Sequence, residues 1–177
     1  MKKFWQYFFY ALLILALVFF QLGLVNTLPY GFNRINLILL TLVILLFFFN
    51  SRTTLGIMIA AGFLLDVFSF NFFGIYMLTL AATVLLADFL LVNFFTNRST
   101  YSFLALTFLA TLFYNFCLYF LIYLTRFLED RVFFMFVGSF WLGLLIELGW
   151  SLGVILLFFA VMNLTTNRLR PVFLDKR

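Results

Sequence analysis

The stretch Gly62–Leu78, GFLLDVFSFNFFGIYML, places one carboxylate, Asp66, in an otherwise apolar run and then breaks at Ser69–Gly74, SFNFFG. Serine, asparagine and glycine together supply turn chemistry. The stretch therefore reads as a helix, a tight break and a second helix, with a charge just before the break. Two readings of Asp66 stand. Its carboxylate accepts hydrogen bonds from Ser69, Asn71 or backbone amides freed between Ser69 and Gly74, or it forms a proton or cation site.

Outward from this stretch the chain has the same character. Of its 177 residues 67% are apolar, 23% aromatic and 10% charged, far from the make-up of a soluble domain. A hydrocarbon core of ~30 Å takes about 20 apolar residues per helix, and such stretches follow one another with short polar interruptions. These fall at 26–34 (NTLPYGFNR), 50–54 (NSRTT), 69–74, 96–101 (TNRSTY) and 125–131 (TRFLEDR). The expectation is an all-α polytopic membrane protein, six helices in one bundle over residues 1–162, with a short basic cytoplasmic tail at 163–177. The first apolar stretch, Phe4–Val25, exceeds the ~7–15 residue core of a cleaved signal and reads as an anchor.

The third segment is the shortest: counted from Leu55 to Phe68 it rises about 21 Å, which leaves a re-entrant alternative. Basic residues separate the two topologies, because short cytoplasmic loops collect them. Six spans with both termini in the cytoplasm put eight Lys and Arg inside and three (Arg34, Arg126, Arg131) outside, whereas re-entry of the third segment gives five and six. Six spans is the better reading.

Chemistry is sparse. The chain has no histidine and one cysteine, Cys117, so the commonest metal ligand and the usual base at neutral pH are missing. No phosphate loop, dinucleotide fingerprint or nucleophile elbow occurs. Neither an enzyme nor a metal or cofactor site is expected, and the scattered net charge of +5 does not point to nucleic acid. Three acids lie in the spans, Asp66, Asp88 and Glu147, each costing about 2.5–3.5 kcal/mol at a helix centre. Asp88, counted from the polar break, stands about eight residues or ~12 Å from its cytoplasmic helix end, where water or a neighbouring helix satisfies it. Glu147 is the most interior, so a functional role competes closely with a structural one. Its helix also carries Ser139, Gly143, Gly149 and Gly153, a small-xxx-small spacing that reads as packing within the bundle ahead of a docking face. Gln21, Asn36 and Asn115 are expected to hydrogen-bond between helices.

The segment LGIMIAAGFLLDVFSFNFFGIYMLTL resembles the central hairpin of the MreD family, small membrane proteins of the bacterial cell-elongation machinery. Asp66, Ser69 and Gly74 occupy that hairpin's positions, with weaker agreement at Gln21 in FFQLGLVN and at Arg34 and Asn36 in NRINLILL. The chain departs from the family at Phe70, where glycine is common, and at Ile35, where proline is. The resemblance implies a six-helix bundle similar to the substrate-binding subunits of energy-coupling-factor transporters, in the bacterial inner membrane. It also implies a non-catalytic scaffold for lateral peptidoglycan synthesis, whose partners are an MreC-like protein, a RodA-type glycan polymerase and the penicillin-binding partner of that polymerase. The competing expectation is a small-molecule-binding subunit of a membrane transporter. Against it, Ala11 and Ala16 are five apart, not in the Ala-x-x-x-Ala spacing such subunits use for docking.

Overall fold

A computed structural model of the chain describes residues 12–24, 27, 33, 35–69, 72–95, 100–128 and 138–166, and among them there is no strand. The elements are α1 (Leu12–Gly23), whose last turn opens into a π-helix at Phe20–Leu24, α2 (Leu37–Phe48), α3 (Ser51–Phe68), α4 (Ile75–Asn93), α5 (Thr100–Leu128) and α6 (Gly138–Thr166). Four helices, α3 to α6, are long and apolar enough to cross a membrane. Both α1 and α2 are apolar but shorter over the described residues; the 12 residues of α2 rise about 18 Å.

The third helix is longer than its sequence suggests. Its N-cap is Asn50, whose carbonyl accepts from the amides of Thr53 and Thr54 at 2.9 and 3.1 Å. The polar run NSRTT is thus the first turn of α3 and not a loop before it. Polar side chains are tolerated there because the first turn has orphan donors to satisfy. With 18 residues the helix reaches about 27 Å, which removes the shortness that favoured re-entry.

The short α2 forms the centre, packing on α3, α4 and α5. Ile38, Leu39, Leu42 and Val43 on successive faces of α2 are all at most 1% exposed, as expected for a helix apolar all round. Around it the molecule is apolar outside and partly polar inside. Phe63, Leu85, Phe89, Phe116, Leu145 and Leu157 face outward, so large apolar side chains on each of α3 to α6 are exposed. Inside lie Thr54, Thr79, Thr83, Thr107 and Thr111, each 0% exposed. Their hydroxyls donate to the carbonyl one turn back, as in Thr79 to Ile75 (2.6 Å) and Thr107 to Phe103 (2.7 Å). Interior threonines are therefore satisfied within their own helices, and among the described residues no buried side-chain nitrogen or oxygen lacks a partner.

The α3–α4 pair approaches most closely. A Cβ added at Gly62 would lie 2.6 Å from Met77 Cα and 2.9 Å from Met77 N, so the two backbones touch where glycine alone fits. Edge-to-face packing of Phe63 on Phe73, with centroids 5.4 Å apart, supports the same hairpin from outside. The α5–α6 pair instead meets through side chains, with Thr111 Oγ1 3.5 Å from Ser151 Oγ.

Candidate functional site

The break after Asp66 creates a specific need. Gly74 adopts φ +101°, a left-handed conformation that costs an L side chain about 1–2 kcal/mol and costs glycine little. Gly74 is also the N-cap of α4 and makes no side-chain cap bond, because it has no side chain. The capping that serine or aspartate would give from this position comes instead from across the hairpin. Asp66 accepts from the amides of Tyr76 and Met77, on Oδ1 at 2.9 Å and Oδ2 at 3.0 Å. Both oxygens are used, the carboxylate is 3% exposed, and its charge faces the positive end of the α4 dipole.

This corrects part of the sequence reading. The amides that Asp66 holds lie just past the break, at Tyr76 and Met77, and not between Ser69 and Gly74. Ser69 does not reach the carboxylate; its hydroxyl and amide donate to the Asp66 carbonyl at 3.2 and 3.3 Å, closing the C-terminus of α3. Asn71 lies outside the described residues.

A second cap stands beside the first. Gln21, carried on the π-turn of α1, accepts from the Leu37 amide (2.9 Å) and donates to the Ile35 carbonyl (3.1 Å). Asn36, the N-cap of α2, accepts from the Leu39 amide at 3.1 Å. The first turns of α2 and α4 are thus both capped by side chains, one partly and one wholly from a neighbouring helix.

Between these caps, α5 and α6 lies a cavity of about 270 Å³. All six helices reach it. Gln21, Asn36 and Ser69 border it from the capped ends, joined by Tyr76 from α4, by Tyr114, Asn115 and Tyr119 from α5, and by Glu147 from α6. The Tyr114 hydroxyl hydrogen-bonds with the Asn36 side chain, and Asn115 Nδ2 donates to the Thr111 carbonyl at 3.0 Å. From Tyr114, α5 continues for fourteen residues to Leu128, about 21 Å, so the cavity sits well inside the length of that helix. The structure therefore gathers Gln21, Asn36, Ser69, Asn115 and Glu147 at one place, while Asp66 and Gly74 belong to the hairpin that carries Ser69 and Tyr76 and are not on the lining. The tyrosines are not singled out by the sequence; the signal it carries is the i, i+4 series Thr107, Thr111, Asn115, which marks the polar face of α5 next to Tyr114.

Three other candidates lie elsewhere. Asp88 is half-buried, five residues or about 7.5 Å from the end of α4 at Asn93, nearer the end than the polar break suggests. Gly149 and Gly153 are exposed, and a Cβ at either would meet nothing within 4 Å. Among the described residues no neighbour packs on either: α6 turns Leu144, Leu148, Ser151 and Ile155 inward, which leaves 149 and 153 on the outer side. Gly143 of the same series is buried. Cys117 is a half-buried free thiol. Among the described residues no cluster of three or more His, Cys, Asp or Glu side chains could hold a metal ion.

Fold and site together define, among the described residues, an all-helical protein with four helices suited to crossing a membrane and a partly open, partly polar cavity lined by residues from all six helices. Comparison of the chain with protein-family models, with characterised proteins and with solved structures returns no match.

Proposed function

We propose that the chain is a non-catalytic scaffold of the bacterial cell-elongation machinery, an MreD-like protein of the inner membrane with six spans and both termini in the cytoplasm. One observation carries the reading: Asp66, Ser69 and Gly74, the residues of the family-like hairpin, act as one device. Gly74 makes the turn, Ser69 closes α3, and Asp66 caps α4. Gln21 and Asn36, the weaker points of resemblance, form the neighbouring cap. In this reading α1 and α2 complete the six spans.

The partner is an MreC-like protein, and through it a RodA-type polymerase with its penicillin-binding partner. The exposed Gly149 and Gly153 suit helix docking, since one-turn-apart small residues let a second transmembrane helix approach closely. Affinity purification of the native complex is expected to recover an MreC-like protein in stoichiometric amount, and depletion is expected to round rod-shaped cells. A detergent-stable preparation that repeatedly recovers no such partner, from cells that keep their shape, would refute the proposal.

The cavity supports a second reading, a small-molecule-binding subunit of a transporter. Depletion separates the two: a carrier subunit leaves cell shape intact and lowers uptake of its ligand.

A further inference from the structure

We infer that the cavity between the capped ends of α2 and α4 and the facing side of α5 takes an uncharged hydroxyl group, from a small polyol or from a neutral glycerolipid, with Asn115 as its acceptor. Asn115 lines the cavity and is 6% exposed. Its Nδ2 donates to the Thr111 carbonyl at 3.0 Å, which fixes the orientation of the amide, because a carbonyl only accepts. Oδ1 is the atom left over, and no described residue donates to it. Among the described residues no sealed side-chain oxygen lacks a partner, so Oδ1 reaches open space, and the cavity is the space that Asn115 borders. An acceptor this deeply placed carries the cost of a missing bond, and an entering O–H group supplies it.

Two neighbours on the same lining keep capacity of the complementary kinds. Gln21 Nε2 carries two hydrogens and gives one to the Ile35 carbonyl; Ser69 Oγ gives its hydrogen to the Asp66 carbonyl and keeps its lone pairs. A hydroxyl both donates and accepts, so it matches this mixture. An ion does not. A charge brought between apolar walls such as Ile38, Leu65 and Leu118 needs a free opposite charge. Both nearby carboxylates are engaged, Asp66 with the amides of Tyr76 and Met77 and Glu147 in an interaction of its own. For an anion, the described lining holds no lysine, arginine or histidine, and the helix-start amides of Leu37 and Leu39 are taken by Gln21 and Asn36. A few placed polar groups among apolar side chains are the usual make-up of a small-molecule site. The volume of about 270 Å³ equals roughly nine waters at ~30 Å³ each, room for a molecule of a few carbons. The inference rests on the small-molecule reading and deepens it; it is tested on the isolated chain, whereas that reading is tested separately by uptake in cells.

The full chain, purified in detergent, is titrated with 1,3-propanediol and glycerol, and binding is followed by saturation-transfer NMR. The controls are 1,3-dimethoxypropane, which accepts hydrogen bonds but donates none, and the ions ethylammonium and acetate. A second arm compares Tm in phosphatidylcholine nanodiscs with and without diacylglycerol. Saturable binding of the diols, with a Kd of about 1 mM, is expected in the first arm for a free polyol, or a rise in Tm with diacylglycerol in the second for a lipid hydroxyl. Asn115→Leu is expected to weaken either response about tenfold, on the order of one hydrogen bond, and Leu118→Phe to weaken it by filling the space. If Asn115→Leu does not fold, Leu118→Phe decides alone. The inference is overturned if neither arm responds, so that the cavity holds water only, if the ether or either ion binds as tightly as the diols, or if a folded Asn115→Leu responds like the parent.

Discussion

Asp66 and Glu147 are two acids in apolar helices of one bundle, yet their surroundings are unlike. Asp66 closes the α3–α4 hairpin: both oxygens are held by backbone amides, and a glycine contact fixes the helices so closely that a methyl group would collide. Glu147 stands on the α5–α6 side, where helices meet through serine and threonine hydroxyls at 3.5 Å and where polar side chains line a space instead of filling it. An acid bound to main chain in this way is part of the framework. Glu147, by contrast, lines a cavity, with Tyr114, Asn115 and Tyr119 of the facing helix on the same lining.

Substitutions can break this comparison. The largest effect is expected for Asp66→Ala, which leaves two part-buried amides without partners and removes two hydrogen bonds to a carboxylate; a loss of about 3 kcal/mol is expected, read as a fall in detergent melting temperature. Asp66→Asn keeps one acceptor but turns an NH₂ toward the other amide, so it is expected to lose about half as much. If Asp66→Ala melts like the parent, the clip is not structural. Gly62→Leu is expected to cost about 1–3 kcal/mol by forcing α3 from α4 at Met77, and a cysteine cross-linking ladder along the two helices would show the separation. Gly74→Ala is expected to cost about 1–2 kcal/mol through its left-handed backbone. Glu147→Gln is expected to change stability by less than about 1 kcal/mol. Equal destabilisation by Asp66→Ala and Glu147→Gln would erase the distinction between the two acids. On the outer face, Gly149→Ile with Gly153→Ile is expected to leave melting unchanged and to weaken recovery of the partner.

Much of the framework is legible in the sequence, for local reasons. Asp66, Ser69 and Gly74 stand out because a charge and turn residues interrupt an apolar run, and that amides satisfy Asp66 follows from the break beside it. Which amides do so is not legible: Tyr76 and Met77 lie ten and eleven residues on, and their position depends on how the hairpin closes. The start of α3 is easily misplaced because a polar first turn and a loop have the same composition. Gly149 and Gly153 have packing spacing, but spacing does not say which side of a helix faces in. The cavity escapes a linear reading because its members come from six helices, and nothing in the sequence singles out its tyrosines.

The contact between Asp66 and the first turn of α4 also bears on assembly. Within a bilayer an aspartate on a lone helix carries a penalty, up to about 2.5–3.5 kcal/mol at a helix centre and less toward an end such as that of Asp66, and a helix start with open amides is likewise disfavoured in hydrocarbon. Each of these segments thus carries a defect that the other cancels. In the membrane reading, α3 and α4 are therefore expected to leave the insertion machinery together as one pair, and a ribosome stalled before Met77 emerges is expected to hold α3 outside the lipid.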